Sequence, residues 1–224
     1  MKILALEFSS PQRSVAFLDA MPGGPALYAG EVVRSGGRAT PAFALIEEVL
    51  AQAGVEREAI ECVAVGLGPG SYHGIRVAIA LAQGWQLARG TLLLGLSSAE
   101  CIAAQAHADG LHGHVTVAVD AQRDELYVAD YEIDGAGPRE VRPLRLAAVK
   151  QMQSERKAGR VLVGPEVTNW FADGRVVFPR AETLSRLAAN RTDFIAGEKL
   201  EPIYLRATSF VKAKPPTFTH ETAR

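Results

Sequence analysis

Apolar residues fall in short blocks separated by turn-forming residues. Residues 3–6 form an apolar run that stops at Glu7, Phe8, Ser9 and Ser10, and after Pro11-Gln-Arg13 a second run returns over 14–18. Runs this short, bounded by turn residues, predict buried strands joined as a hairpin with polar groups at its bend. A further turn at 22–25 leads to a third strand over 27–33. The period then changes. Thr40-Pro41 predicts a helix start, with Thr40 as cap and Pro41 in the first turn. Phe43, Ile46, Val49 and Leu50 give that helix an apolar stripe, and Gly54 ends it. Residues 62–67 read as a buried strand, a glycine-dense stretch follows, and 75–88 reads as a helix whose entry Ser71 can cap. A strand over 91–96 leads into Ser97-Ser-Ala-Glu100, a capping box for a helix running to about residue 108.

The opening pattern then recurs. Residues 115–120, a turn at 121–124 and residues 125–131 repeat strand, acid, bend, strand, with Glu7 and Asp120 at equivalent strand ends. This repetition points to internal duplication and to an α/β fold with two related lobes, 1–110 and 111–206, followed by a polar, mobile tail over 207–224. Within the second lobe, 141–146 reads as a strand, 147–158 as a polar helix, 159–164 and 176–178 as short strands, and 181–189 as a helix that 192–197 extends. Pro202 keeps Glu201 out of helical conformation, so 201–206 is extended.

The stretch from Gly66 to Gly74 must turn tightly, and its glycines predict exposed backbone N–H groups ahead of a helix, the general recipe for an anion site. The specific phosphate motifs are absent. No lysine lies between residues 62 and 88, and the spacing G-x-G-x-x-G fails from Gly66 (Ser71 at its end) and from Gly68 (His73). The plainer reading is a turn and a helix cap. The helix carries small residues at intervals of four, Gly74, Ala78 and Ala82 on one face and Ala80, Gly84 and Ala88 on another. Ile75, Ile79, Leu81, Trp85 and Leu87 spread around the rest. A helix apolar nearly all round cannot face water on its far side, so it lies in the middle of the fold or against a second protein.

Composition narrows the classes. With 24 basic and 25 acidic residues the chain has a net charge of only −1, which gives it no positive charge with which to bind nucleic acid or membrane by electrostatics alone. The hydrophobic share of 48% supplies a core, and the longest apolar runs are too short for a membrane span. Cys62 and Cys101 sit in apolar runs and read as buried thiols in a reducing, cytoplasmic setting. His107, His112 and His114 cluster locally but do not fit H-E-x-x-H, which argues against a metallopeptidase. Arg34 and Arg38 lie in a polar loop read as solvated.

Gly68-Pro-Gly-Ser-Tyr-His-Gly-Ile-Arg76, the small-residue helix behind it, Ser97-Ser-Ala-Glu100, Asp120-Ala-Gln-Arg123 and Glu201-Pro-Ile-Tyr-Leu-Arg206 together resemble one family, the bacterial tRNA threonylcarbamoyladenosine biosynthesis proteins TsaB, also called YeaZ. The resemblance runs from Lys2 to Arg206. It departs from the family pattern in Glu7 for Asp and Tyr72-His73 for Phe-Thr, and Arg38 stands near a usual histidine. The resemblance implies an actin/hexokinase/Hsp70-like duplicated fold with mixed sheets flanked by helices. It implies a non-catalytic paralogue of the catalytic subunit TsaD, working with the ATPase TsaE in threonylcarbamoyl transfer to tRNA. It also implies a homodimer when the chain is alone, no membrane role, no cofactor of the chain's own, and ATP and Mg for the complex. The implied partner interface lies on Gly70, Ser71, Tyr72, Gly74, Ile75, Arg76, Ala78, Ile79, Ala82, Trp85 and Gln86, with the helix near Thr40 taking part. The alternative is an ATP-dependent kinase or ATPase of the same fold, using Glu7, Ser9, Ser10 and Asp120 around phosphates and Mg²⁺.

Overall fold

The structure is a computed structural model that describes residues 1–21, 26–36, 41–154 and 159–205. Thr40, Arg38, Arg206 and the 207–224 tail lie outside the described residues. The first half contains β1 (Lys2–Glu7), β2 (Gln12–Ala20), β3 (Ala26–Ser35), α1 (Ala42–Ala53), β4 (Cys62–Gly66), α2 (Tyr72–Arg89), β5 (Leu92–Leu96) and α3 (Ser98–Ala108). The second half contains β6 (Gly113–Asp120), β7 (Glu125–Asp134), β8 (Gly137–Ala148), α4 (Val149–Ser154), β9 (Val161–Gly164), β10 (Arg175–Val176) and α5 (Ala181–Ala189). One sheet has the order β3-β2-β1-β4-β5 and the other β8-β7-β6-β9-β10. The two orders superimpose strand for strand. In each, the first three strands are antiparallel and the last two join in parallel. This is the duplicated two-lobe fold with mixed sheets that the repeated hairpins imply.

Strand alternation assigns the layers. Leu4 and Leu6 of β1 face a core shared with Val63 and Val65 of β4, the α1 residues Leu45, Ile46, Val49 and Leu50, and the α2 residues Ile75, Ala78, Ile79 and Ala82. Ile3 and Ala5 face the opposite side, which is covered by Ala181, Leu184 and Ala188 of α5. In return, Ala99, Ile102, Ala103 and Ala106 of α3 pack on Val115, Val117, Ala129 and Val163 of the second sheet. The last helix of each half therefore covers the other half's sheet, and α3 and α5 lie between them. A polar clamp fixes this exchange. Ser14 Oγ accepts from the Ala181 N–H at 2.8 Å, and the Glu31 carboxylate accepts from the Glu182 N–H at 3.2 Å. Arg180 also donates to Glu31, which supplies the counter-charge that a nearly buried carboxylate needs.

Several expectations are corrected. The helix expected over 147–158 begins only at Val149, because 137–148 form a long outer strand paired with β7, and residues 155–158 lie outside the described residues. Residues 192–197 do not extend α5. They run out of it and Ile195 N–H donates to Leu93 O along the edge of the first sheet, ahead of a 3-10 turn at Gly197–Lys199. Phe43 is not inward. The buried face of α1 uses Leu45 in its place, and Phe43 is 60% exposed. The helix predicted over 75–88 begins at Tyr72, where Ser71 Oγ accepts from Gly74 N–H at 3.3 Å. Ser97 Oγ caps α3 through Ala99 N–H, whereas Glu100 faces Arg191 at 3.9 Å.

Candidate functional site

Two concavities hold the residues that the sequence singles out. The first is a cleft of about 640 Å³ between the lobes. One wall is the β1–β2 bend and the glycine loop, with Ser9, Ser10, Arg13, Gly70, Ser71, Tyr72 and His73. The other is the end of β6 and its turn, with Asp120 and Gln122, together with Glu166. Tyr127 and Tyr204 complete the lining.

Glu7 is not on the cleft. Its side chain is completely buried. One carboxylate oxygen accepts from Ser9 N–H at 2.8 Å, and the other accepts from Ser98 Oγ at 2.9 Å. Ser98 Oγ in turn accepts from Gly68 N–H at 3.1 Å, so Glu7 ties β1 to α3 and the glycine loop. The backbone of Gly66 passes so close that a Cβ there would lie 1.9 Å from Glu7 Oε2. Burial raises the carboxyl pKa, opposed by the bonds from Ser9 and Ser98. Of the four residues of the alternative nucleotide reading, Ser9, Ser10 and Asp120 meet at the cleft and Glu7 stands behind it.

Several amides of the glycine loop are taken up within the fold. Gly68 N–H is taken by Ser98, Ser71 N–H by Ser9 O at 2.6 Å, Gly74 N–H by Ser71 Oγ and Ile75 N–H by Ser71 O. The glycines serve close approach, since a Cβ on Gly74 would lie 1.9 Å from Phe8 O and one on Gly70 2.1 Å from Ser9 O. The Gly68-Pro69 peptide is cis. Across the cleft, Asp120 accepts from Gln122 N–H and Gln122 Nε2, both at 2.7 Å. Those bonds hold a turn in which Gln122, Arg123 and Asp124 all have φ near +60° (61°, 59° and 58°), a conformation that costs side-chain-bearing residues about 1–2 kcal/mol each. Burial and the charge of Asp120 both raise the Glu166 pKa, and burial lowers that of Arg13.

The second concavity is a groove of about 340 Å³ between α1 and α2. Ala80, Gly84 and Ala88 form its floor along α2, flanked by Phe43, Leu81 and Trp85 and edged by Arg57, Glu58 and Arg89. Leu87 beside it is 88% exposed. The helix thus has two small-residue faces with different uses. Gly74, Ile75, Ala78, Ile79 and Ala82 are buried in their own lobe and cannot meet a partner, because the sheet takes that face. Gln86 is engaged within the chain, accepting from Gly197 N–H at 2.6 Å, and Gln83 donates to Gly197 O. Of the implied interface residues, Ser71, Tyr72 and Arg76 are exposed, and Gly70 and Trp85 are half-buried. Sequence reasoning placed Phe43 in the core and passed over Arg57, Arg89, Tyr127, Glu166 and Tyr204. The exposed spacing Ala80, Gly84, Ala88 was the visible signal for the groove.

The three histidines are not assembled. His107 and His112 meet edge-on, whereas His114 bonds Glu132 at 2.5 Å. Among the described residues no group of three or more His, Cys, Asp or Glu is placed to share a metal ion. Burial pushes the Cys62 thiol up to about 12 and raises Cys101 as well, which leaves both inert near neutral pH. No described helix is long and apolar enough to cross a membrane.

Matched sheet orders and a glycine loop feeding a small-residue helix define a duplicated two-lobe protein of the actin/hexokinase/Hsp70 class. Residues 41–223 match the family TsaD, tRNA N6-adenosine threonylcarbamoyltransferase, and the chain belongs to that family. Within it the likeness is to TsaB and YeaZ. The tRNA threonylcarbamoyladenosine biosynthesis protein TsaB of Escherichia coli (strain K12) is 28% identical over 179 residues, 72% of this chain and 78% of that protein. The Haemophilus influenzae TsaB is 26% identical over 182 residues, 72% of this chain and 77% of its own. The solved structure of YeaZ from Pseudomonas aeruginosa superimposes with a TM-score of 0.77 at 25% identity, covering 91% of this chain and 99% of that one.

Proposed function

We propose that this chain acts in threonylcarbamoyladenosine biosynthesis as a non-catalytic subunit. It joins a TsaD-like catalytic subunit through the groove between α1 and α2 and supports threonylcarbamoyl transfer to tRNA together with a TsaE-like ATPase. Alone it forms a homodimer on the same surface, and ATP and Mg belong to the complex. The observation that carries this reading is the apolar groove, where Phe43 stands 60% exposed over a floor of Ala80, Gly84 and Ala88, with Leu87 88% exposed beside it on α2. Small residues allow a second helix to approach closely, and exposed large apolar side chains around such a floor favour a protein partner. The lack of a catalytic role is supported by Glu7, whose two carboxylate oxygens are both occupied inside the fold.

Gel filtration tests the reading. The chain alone should elute as a dimer, and an added TsaD-like subunit should replace that dimer with a heterodimer. Gly84→Arg or Leu87→Arg should abolish both associations and leave the circular dichroism spectrum unchanged. Substituting the buried Ala78 or Ala82 by Arg would unfold the lobe and test nothing about the surface. Association retained by both outward variants removes the groove from the interface.

A further inference from the structure

Each sheet has two outer strands, and a strand edge left open is a template for another chain. Three of the four edges are blunted. The outer side of β5 is taken by the segment after α5, where Ile195 N–H donates to Leu93 O. The strand β10 is only two residues long. The strand β8 carries Pro138 and Pro143, which cannot donate to a ladder, together with three arginines and two breaks in its register. The fourth edge, β3, has none of these devices. It is ten residues long, contains no proline and keeps register with β2 from Ser35 to Tyr28. Among the described residues no strand pairs with its outer side. Because β3 and β8 hold equivalent places in the two halves, the fold itself does not demand an open edge here.

The charges of β3 do not guard it. Glu31 is held by Arg180 and by the Glu182 N–H, and Arg34 is paired with Glu48 at 2.7 Å. Arg34 Nη1 also donates to Val33 O at 2.9 Å, and that carbonyl keeps a second lone pair for a backbone N–H. Leu27 stands 66% exposed near the start of the strand. An identical edge related by a two-fold axis fits these features. Directly opposed residues of an antiparallel pair share a face, so the axis sets one residue opposite itself. With Glu31 at that point, two carboxylates would face each other. With Gly30 there, Leu27 of one copy lies opposite Val33 of the other, Ala29 lies opposite Glu31, and no like charges meet. We infer that β3 pairs edge to edge with β3 of a second copy, antiparallel about Gly30, joining two five-stranded sheets into one of ten strands. The contact uses none of the groove residues and does not rest on the groove reading. It lacks the groove's apolar lining, which puts it at the weak end of protein contacts, with Kd about 0.1–1 mM. It therefore leaves the groove's behaviour in dilute gel filtration unchanged.

Disulfide trapping and sedimentation equilibrium of the full chain test it. Leu27→Cys and Val33→Cys chains, mixed and oxidised at about 0.5 mM, should form an interchain disulfide, because opposed Cα atoms of a ladder lie about 4.5–5.5 Å apart, within disulfide reach. Neither variant alone should cross-link, since position 27 of one copy then lies about 20 Å from position 27 of the other. Cys62 and Cys101 are buried and stay out of the reaction. In the Leu87→Arg background, which removes the groove contact, the chain should be mostly monomeric at about 10 µM and at least half dimeric at about 1 mM. Adding Leu27→Lys, at an exposed position that the fold does not need, should raise the Kd about tenfold or more. A Leu87→Arg chain still monomeric at about 1 mM, no mixed disulfide, or equal cross-linking by either variant alone overturns the inference. So does a dimer that appears only after residues 207–224 are deleted, which would give the edge to that segment. A Leu87→Arg chain that stays dimeric at about 10 µM and forms the mixed disulfide assigns the dimer to the edge and counts against the groove alone, so the two readings fail separately.

Discussion

Glu7 occupies the end of the first strand, where its counterpart in the second half, Asp120, opens onto the cleft. The extra methylene of Glu7 carries its carboxyl to Ser98 instead. Because burial raises its pKa in the fold, the native state holds the proton more tightly than the unfolded chain does. Stability therefore falls as pH rises from the ordinary carboxylate value, near 4.5, through the raised one, and stays lower above it. Glu7→Gln keeps one acceptor oxygen for Ser9 N–H, sets an amide donor in place of the oxygen that accepts from Ser98, and removes the charge. We expect it to be more stable than the wild type by about 1 kcal/mol at pH 8, with the gap closing at pH 4, in urea unfolding at the two pH values. Glu7→Ala leaves Ser9 N–H and Ser98 without their acceptor and should cost about 2 kcal/mol or more.

At the scale of elements, the glycines divide into those that turn the chain and those that admit another backbone. Gly74 belongs to the second kind, as does Gly164 at the end of β9, where a Cβ would lie 1.9 Å from Ala118 O. Both neighbours are backbone carbonyls, Ala118 within β6 and Phe8 just past the end of β1, and neither can swing away as a side chain would. Gly74→Ala or Gly164→Ala should lower stability by about 3 kcal/mol, read as a drop in Tm, although alanine favours a helix in isolation. Gly84→Ala, where a Cβ meets nothing within 4 Å, should be neutral or stabilising. This contrast explains why the central helix was only half legible in the sequence. Its apolar circumference announced that two sides are covered. Which small-residue stripe faces the sheet depends on the angle at which α2 leaves the glycine loop, and no periodicity encodes that angle. Phe43 was misplaced for the same reason, since Leu45 competes for the inward position one residue pair away. The strands were more legible, because short apolar blocks between turns leave few alternatives. Of the long β8 only 141–146 was legible, because its start carries Arg139 and Glu140, which are exposed on an outer strand that needs polar side chains.

Across the whole molecule, the duplication was visible as a repeated hairpin, and the sheets reproduce it strand by strand. The cleft was partly visible, since Ser9, Ser10 and Asp120 end the repeated strands. Tyr204 and Glu166 were not, because only the closed fold carries them there. The exchange of α3 and α5 had no sequence signal at all. It has a direct consequence for dissection. A fragment of residues 1–110 lacks α5 and leaves the Ile3, Ala5 and Leu94 face of its sheet bare. We expect this fragment to be unfolded or aggregated by circular dichroism and light scattering, and a co-expressed second half to rescue it. The same exchange governs synthesis on the ribosome. The first sheet emerges early, but its inner surface stays uncovered until Ala181, Leu184 and Ala188 have been translated, several seconds later at ordinary elongation rates. During that interval the nascent chain displays a greasy sheet with no lid of its own, which makes it a natural client for a chaperone that waits at the exit tunnel.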